Sequence, residues 1–272
     1  MIFFPNAKIN IGLFVKKKLP DGFHEIESIM IPVALCDLLE VVVNESDEFK
    51  LTTSGISIES EIEKNLCYKA WKIVNSRYEI PGVQMHLHKN IPVGAGLGGG
   101  SSDAAYTLKL LNHYFELKIG EEELMVMAGE IGNDCPFFIS NKISFAYNKG
   151  QLLKPLELDL KLYHVVIVFP NMNISTRWAY QSIIPERKSE SLFNLISLPI
   201  DQWKERIYND FESVVFAEYP EIEKIKEVLY SQGAVYASLS GSGSVVYGIF
   251  NEFPVLKNDF EPYFTWQGRI TA

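Results

Sequence analysis

The sequence contains no run of about 18 apolar residues, the length a helix needs to cross a bilayer. Its longest apolar stretch, Val165–Phe169, is strand-sized, so no membrane span is expected. Cysteine is scarce: Cys36, Cys67 and Cys135 are odd in number and widely spaced. No pair has the spacing of a zinc knuckle or a redox dithiol, so reduced, mostly buried thiols are expected. Positive charge is also short, 25 Lys and Arg against 34 Asp and Glu, for a formal net charge of −9. That balance argues against a nucleic-acid partner, which needs a basic face to displace counterions. An anionic small substrate stays open, because a few local cations and aimed backbone N–H groups suffice for it. The opening residues, Met1-Ile2-Phe3-Phe4-Pro5-Asn6, lack the basic and apolar regions of a secretion signal, so the expected compartment is the cytoplasm.

What is present is ordinary in bulk. The 272 residues, 47% hydrophobic and 22% charged, fit a globular enzyme of one large domain or two modest ones. Residues 6–16 alternate, with Ala7, Ile9, Ile11, Leu13 and Val15 apolar and Lys8, Asn10 and Gly12 on the other face. That pattern predicts a strand with a small polar patch. Further strands are expected at Glu25–Val33, Leu38–Asn44, Phe49–Ser54 and Val83–Lys89, and helices at Asn65–Arg77, Asp103–Phe115 and Glu121–Ile131. Later come a strand at Tyr163–Phe169, a helix at Pro220–Gln232, strands at Val235–Leu239 and Val245–Phe250, a short helix near Val255 and a last strand near Phe264–Ile270. The mixture predicts an α+β chain with antiparallel sheets, divided near residue 158 into segments 1–158 and 159–272.

The most informative stretch runs from Lys89 to Ala105 and follows a predicted strand into a predicted helix. Gly94, Gly96, Gly98, Gly99 and Gly100 fall within seven residues, which lets backbone amides approach a ligand without Cβ clashes. The helix that follows adds its partial positive charge and unpaired N–H groups. Ser101 and Ser102 are placed to cap that helix or to turn a hydroxyl towards a phosphate or its Mg²⁺ ion. The chemistry is that of a phosphate cradle. The segment fits G-x-G-x-x-G on paper, but a helix, not a second parallel strand, is expected after α-helical 103–115, which excludes a dinucleotide fold. A Walker loop fails because no Lys follows the last glycine, and H-R-D and D-F-G are missing.

Three motifs in order resemble the family of galactokinase, homoserine kinase, mevalonate kinase and phosphomevalonate kinase: Pro5-Asn6-Ala7-Lys8-Ile9-Asn10-Ile11-Gly12-Leu13, the loop Pro92–Ala105, and Leu239-Ser240-Gly241-Ser242-Gly243-Ser244. The resemblance runs from residue 5 to about residue 250 and implies a two-domain α+β kinase, ATP-binding at 1–158, with a ferredoxin-like C-terminal domain at 159–272. It implies ATP with Mg²⁺, an alcohol as phosphoryl acceptor, and a monomer or weak homodimer. Pro20-Asp21-Gly22-Phe23-His24-Glu25 and Gly132-Asn133-Asp134-Cys135-Pro136-Phe137-Phe138 are similar to segments of the branch that acts on diphosphocytidyl-methylerythritol. Sister kinases of homoserine or mevalonate explain the three motifs but not Asp21–His24. A nucleotide-binding regulator without chemistry is disfavoured by the presence of both Lys8 and Asp134.

The resemblance assigns roles residue by residue. Asp134 is the general base or the anion orienting the hydroxyl, with Lys8 beside it to keep it ionised. Pro92, Gly94, Gly96, Leu97, Gly98, Gly99, Gly100, Ser101 and Ser102 hold the nucleotide phosphates, with Gly241 and Gly243 packed against them. Asn65 and Lys89 are adenine-side contacts, Asn65 being equally suited to cap its helix. Asn10 touches the substrate, His24 hydrogen-bonds a cytosine and Phe23 stacks on it, and Tyr180 forms the opposite wall or is simply a core aromatic. His86 and His88 are read as the polar face of a strand, Lys16-Lys17-Lys18 as a solvated strand end, and Cys135 as packing. Tyr147-Asn148-Lys149-Gly150-Gln151 departs from the glycine-rich run expected there.

Overall fold

The computed structural model describes residues 1–44, 48–58, 61–186, 188–256 and 258–270. Its strands are β1 Ile2–Phe3, β2 Asn6–Lys18, β3 His24–Cys36, β4 Leu38–Val43, β5 Lys50–Gly55, β6 Val83–Lys89, β7 Ser144–Asn148, β8 Leu152–Pro155, β9 His164–Phe169, β10 Tyr236–Leu239, β11 Val246–Phe250 and β12 Phe264–Arg269. Its helices are α1 Leu66–Tyr78, α2 Gly99–Tyr114, α3 Glu121–Ile131, α4 Cys135–Ser140, α5 Thr176–Ser182, α6 Leu192–Leu195, α7 Trp203–Arg206, α8 Glu212–Glu218 and α9 Pro220–Ser231. Two compact units emerge, each woven from several passes of the chain. The first comprises Met1–Ala7, Leu35–Val93 and Gly98–Asn141, and the second Lys8–Ala34, Gly94–Leu97 and Lys142–Ala272.

The first unit carries a four-stranded sheet in the order β1-β4-β6-β5, antiparallel except that β5 runs parallel to β6. A parallel neighbour needs a crossover, and α1 provides it. Asn65 starts α1 by accepting the Cys67 amide at 2.9 Å, and the helix buries Cys67, Ala70, Trp71 and Val74 at helical spacing. In β6, Val83, Met85 and Leu87 are buried while His86 and His88 share the opposite face. There Thr52 meets His86 Nδ1 at 2.8 Å, and Ser54 bridges His86 Nε2 and His88 Nδ1 at 2.9 and 2.8 Å. The histidines are thus members of a hydroxyl ladder on the polar face.

The second unit contains two sheets. One has the order β2-β3-β7-β8 and the other β10-β11-β9-β12. The latter is antiparallel throughout and arises from a strand, helices, two strands and a final strand, the ferredoxin-like pattern. Its core joins Leu13 and Val15 of β2 to Val166 and Val168 of β9, Phe211, and Ile222, Ile225 and Leu229 of α9. Each such side chain contributes about 1.5–3 kcal/mol on burial. Lys16 and Lys17 pair with Glu27 and Glu25 at 2.6 and 2.9 Å, as a solvated strand end does.

Three expectations need correction. Helix α2 begins at Gly99, four residues ahead of Asp103, because tertiary packing overrides the low helix propensity of glycine. No helix forms around Val255, where residues 253–256 lack regular structure and a 3₁₀ turn follows at Asn258–Phe260. Pro254 biases Phe253 away from helical angles, and the segment is too short to nucleate. Strand β2 is buried from Lys8 through Val15 and not on alternate residues, so its polar patch lies inside.

Candidate active site

In the first unit, the chain turns at the end of β6 and later enters α2. The Ser102 amide makes the first intrahelical bond, to Gly98 O at 2.9 Å. The amides of Gly99, Gly100 and Ser101 therefore stand at the positive end of a 16-residue helix, where an anion is favoured. Gly98, with φ of 70°, occupies the cap position, so neither Ser101 nor Ser102 caps α2 as expected. Ser102 is fully buried with its Oγ lacking a partner, while Ser101 is half-buried and Gly100 exposed. Pro92 is buried at the far side of the turn.

Lys89 does not present its side chain to solvent. It is 2% exposed, and its ammonium is paired with Asp37 and with Asp103 Oδ2, the latter at 2.7 Å. The Lys89 ammonium is thus engaged in an internal ion cluster. Burial raises the Asp103 carboxyl against the pull of Lys89. Asn65 likewise uses its carboxamide oxygen as a helix cap. Asp134 is half-buried at the N-terminal edge of α4 and makes no capping bond with its side chain. Next to it, burial pushes the Cys135 thiol up to about 12, which fits an inert packing cysteine.

The second unit assembles the other motifs. Lys8, 3% exposed, donates to Asn10 Oδ1 and to Gly96 O, the latter at 2.9 Å. Asn10 Nδ2 donates to Ser28 Oγ at 2.8 Å, and Ser28 donates to Gly12 O at 2.7 Å. The period of two aims Lys8 and Asn10 to the same side, as the strand pattern requires. Ser240 Oγ donates to Gly96 O at 2.9 Å, and Tyr247 OH donates to Asn10 O at 2.8 Å. The glycine turn packs so closely that a Cβ on Gly243 would lie 2.2 Å from the Ala95 carbonyl carbon.

Asn209, Ser28, Tyr247 and Asp37 escaped the sequence reading. Asn209 Nδ2 holds Leu239 O and Gly241 O at 2.9 and 2.7 Å, while its Oδ1 takes the Phe211 amide at 3.0 Å. No local pattern marks it, because its partners lie some 30 residues away. Asn209→Ala strips three bonds from a buried turn, and an expected loss of about 2–3 kcal/mol should appear in urea unfolding. A loss under about 0.5 kcal/mol would mean that water replaces the side chain.

His24 and Tyr180 also meet in this unit, stacked with centroids 5.0 Å apart and planes at 28°. Tyr180 additionally packs edge-on against Phe211 at 4.8 Å, so it is both a core aromatic and a wall for His24. Burial, with a smaller effect from Lys18, holds His24 below its ordinary value, favouring the neutral ring. Phe23 turns outward, 53% exposed, beneath the Lys149 ammonium at 4.8 Å. Lys149 also pairs with Asp21. The atypical 147–151 segment is therefore the β7–β8 turn, with Asn148 and Gly150 at φ of 63° and 92°. Among the described residues, no group of three or more His, Cys, Asp or Glu side chains is placed to hold a metal ion.

The helix-end amides of α2 suit an anion such as a nucleotide phosphate, and the comparisons with known proteins point to nucleotide chemistry. The chain belongs to the GHMP kinases: the GHMP kinases N terminal domain matches residues 65–142, and the GHMP kinases C terminal domain matches residues 194–258. It is an ATP-dependent small-molecule kinase. Within this class, 4-diphosphocytidyl-2-C-methyl-D-erythritol kinase of Azobacteroides pseudotrichonymphae genomovar. CFP2 is 49% identical, over 93% of this chain and 94% of its own. The enzyme of that name from Bacteroides fragilis is 47% identical over 99% of this chain and 100% of its own. A crystal structure of 4-(cytidine 5'-diphospho)-2C-methyl-D-erythritol kinase matches with a TM-score of 0.78 at 30% identity, covering 91% of this chain and 89% of that one. Methanococcus jannaschii mevalonate kinase shares the fold, with a TM-score of 0.74 at 14% identity over 100% of this chain and 98% of its own.

Proposed function

We propose that this enzyme phosphorylates the 2-hydroxyl of 4-diphosphocytidyl-2-C-methyl-D-erythritol with ATP, giving the 2-phosphate and ADP in non-mevalonate isoprenoid precursor synthesis. The observation that carries the choice of substrate is the 47% identity, over essentially the whole chain, to a relative of that name. In this reading Asp134 accepts or orients the hydroxyl proton while the new O–P bond forms and the bond from Pγ to the ADP oxygen breaks. Lys8 supplies positive charge to the transferring group, and Asn10 positions the substrate. Pro92, Gly94, Gly96, Leu97, Gly98, Gly99, Gly100, Ser101 and Ser102 line the phosphate cradle, with Asn65, Lys89, Gly241 and Gly243 supporting it.

The α2 amides and the exposed Gly100 suit a polyphosphate, and the half-buried Ser101 hydroxyl suits a hard cation such as Mg²⁺. Bound Mg²⁺ neutralises phosphate charge; the chain's own part is to hold and orient. The division into an ATP-binding segment 1–158 and a C-terminal segment 159–272 is supported by the two family matches, which fall on either side of it. A cytoplasmic monomer or weak homodimer completes the reading.

The test is ADP release with Mg-ATP and diphosphocytidyl-methylerythritol, run beside homoserine and mevalonate. Turnover confined to the first alcohol supports the proposal. Turnover with homoserine or mevalonate instead would assign a sister activity, and nucleotide binding without any ADP release would indicate a regulator.

His24, Phe23 and Tyr180 are assigned to the cytidine end. His24→Ala is expected to raise KM for the cytidine substrate about tenfold or more, through loss of a base contact and of the Tyr180 stack, with KM for ATP unchanged. A parallel rise in both KM values would place His24 in the scaffold instead.

A further inference from the structure

We propose that the buried cluster Asp37, Lys89 and Asp103 is the positioning device of the phosphate cradle, tying the end of β6 to the first turns of α2 so that the helix amides are aimed before nucleotide arrives. The inference rests on the reading of that helix end as the ATP phosphate site. Lys89 is the last residue of β6, and Asp103 is the fifth residue of α2. Asp37 is the single residue between β3 and β4. One Asp37 oxygen takes Lys89, and the other accepts the Asn90 and Ile91 amides at 2.6 and 2.8 Å. Asp37 thereby fixes the direction in which the chain leaves the strand, while Lys89 carries that direction across to Asp103.

The geometry runs directly beneath the cradle. A Cβ on Gly99 would lie 3.3 Å from Lys89 Nζ and 2.9 Å from Ile91 Cγ2, so the first helical residue rests on this cluster. Burying two carboxylates and one ammonium is costly, and apolar residues would fill the space equally well. What ions add is direction, because each hydrogen bond admits few orientations. Asp103 Oδ1 and Ser102 Oγ have no protein partner, leaving polar atoms at the same turn.

The cluster also has a charge balance. Asp103 is faced by Asp37, by Lys89, by the Cys67 thiol from α1 and by Thr107, whose hydroxyl donates to Asp103 O at 2.8 Å. Burial pushes Cys67 up to about 12, so it stays neutral. Burial, with the neighbouring Asp37 carboxyl, raises Asp103 against the pull of Lys89, so Asp103 gains its charge at higher pH than an ordinary carboxyl does. A negative cluster beneath an anion site opposes binding, and nucleotide affinity falls with rising pH.

The experiment is calorimetric titration of the full chain with ADP from about pH 6 to 8, for wild type, Asp103→Asn, Lys89→Met and the double variant. Lys89→Met is expected to weaken ADP binding about tenfold or more and to raise KM for ATP but not for the alcohol, a split that general loss of structure would not give. Adding Asp103→Asn should recover part of the loss, since one unpaired buried carboxylate is removed. Asp103→Asn alone should bind with a flatter pH curve than wild type. The titration of ADP itself is common to both proteins, so the difference reports Asp103. A folded Lys89→Met with wild-type affinity, or parallel pH curves for wild type and Asp103→Asn, overturns the inference. If Lys89→Met does not fold, Asp37→Asn decides: it removes the charge that holds Lys89 and the Asn90 and Ile91 amides, and a folded Asp37→Asn with wild-type ADP affinity overturns the inference. Wild type that binds no ADP would sink the ATP reading itself.

Discussion

Asp134→Asn is expected to lower kcat by about 100-fold or more while leaving KM for ATP within about threefold. Transfer to an alcohol needs the hydroxyl oriented and its proton removed, and a carboxamide does neither as an anion would. The substitution keeps the size and shape of the side chain at the N-terminal edge of α4 and removes its charge. A thermal melt run beside the kinetics separates loss of the anion from loss of structure. Neighbouring Cys135 is buried and neutral, so it offers no substitute nucleophile or base. A kcat loss below about fivefold, with the fold intact, would remove Asp134 from the proton's path and leave positioning to account for the rate.

Gly96→Ala should be the most damaging single-methyl change in the second unit. A Cβ there would sit 1.9 Å from Ser240 O, at a residue whose φ is +85°. Backbone, not a flexible side-chain end, blocks the space, and the same Gly96 carbonyl receives both Lys8 and Ser240. The loop must therefore move, and those two bonds move with it. A destabilisation of about 3 kcal/mol or more is expected, a fall in Tm of roughly 6–12 °C, with loss of kinase activity. Gly22→Ala is the matched control: its φ is +86°, but nothing lies within 4 Å of its Cβ. It should cost only about 1 kcal/mol, from backbone strain alone. Equal effects at the two glycines would show that φ, not the close approach of Ser240, governs the loop.

The glycine loop, the strand before it and the helix after it were legible because each is a local matter. Glycine spacing limits Cβ clashes within the loop itself, and alternation in β6 separates Val83, Met85 and Leu87 from His86 and His88. The common orientation of Lys8 and Asn10 follows from strand geometry alone. The start of α2 was misplaced because Gly99 and Gly100 are poor helix formers in isolation, whereas packing against Lys89 and Ile91 places Gly99 in the helix. The resemblance to a kinase family supplied the roles that no spacing states, above all that of Asp134.

Pairings between distant segments were not legible. Lys89 is an adenine-side contact only by the family resemblance; the fold alone brings Asp37, 52 residues earlier, to its ammonium. Asn209 carries no motif, yet it braces the turn at Leu239 and Gly241. His24 and Tyr180 were both candidates for one ring system, but their stacking on each other, with Phe23 turned outward, depends on α5 lying where it does. The sequence by itself determined the local chemistry, that is, which residues offer amides, cations and carboxylates, and on which face. The tertiary structure alone decided which of those groups are consumed internally and which stay accessible, because burial and hydrogen-bond partners depend on chain segments brought together from far apart.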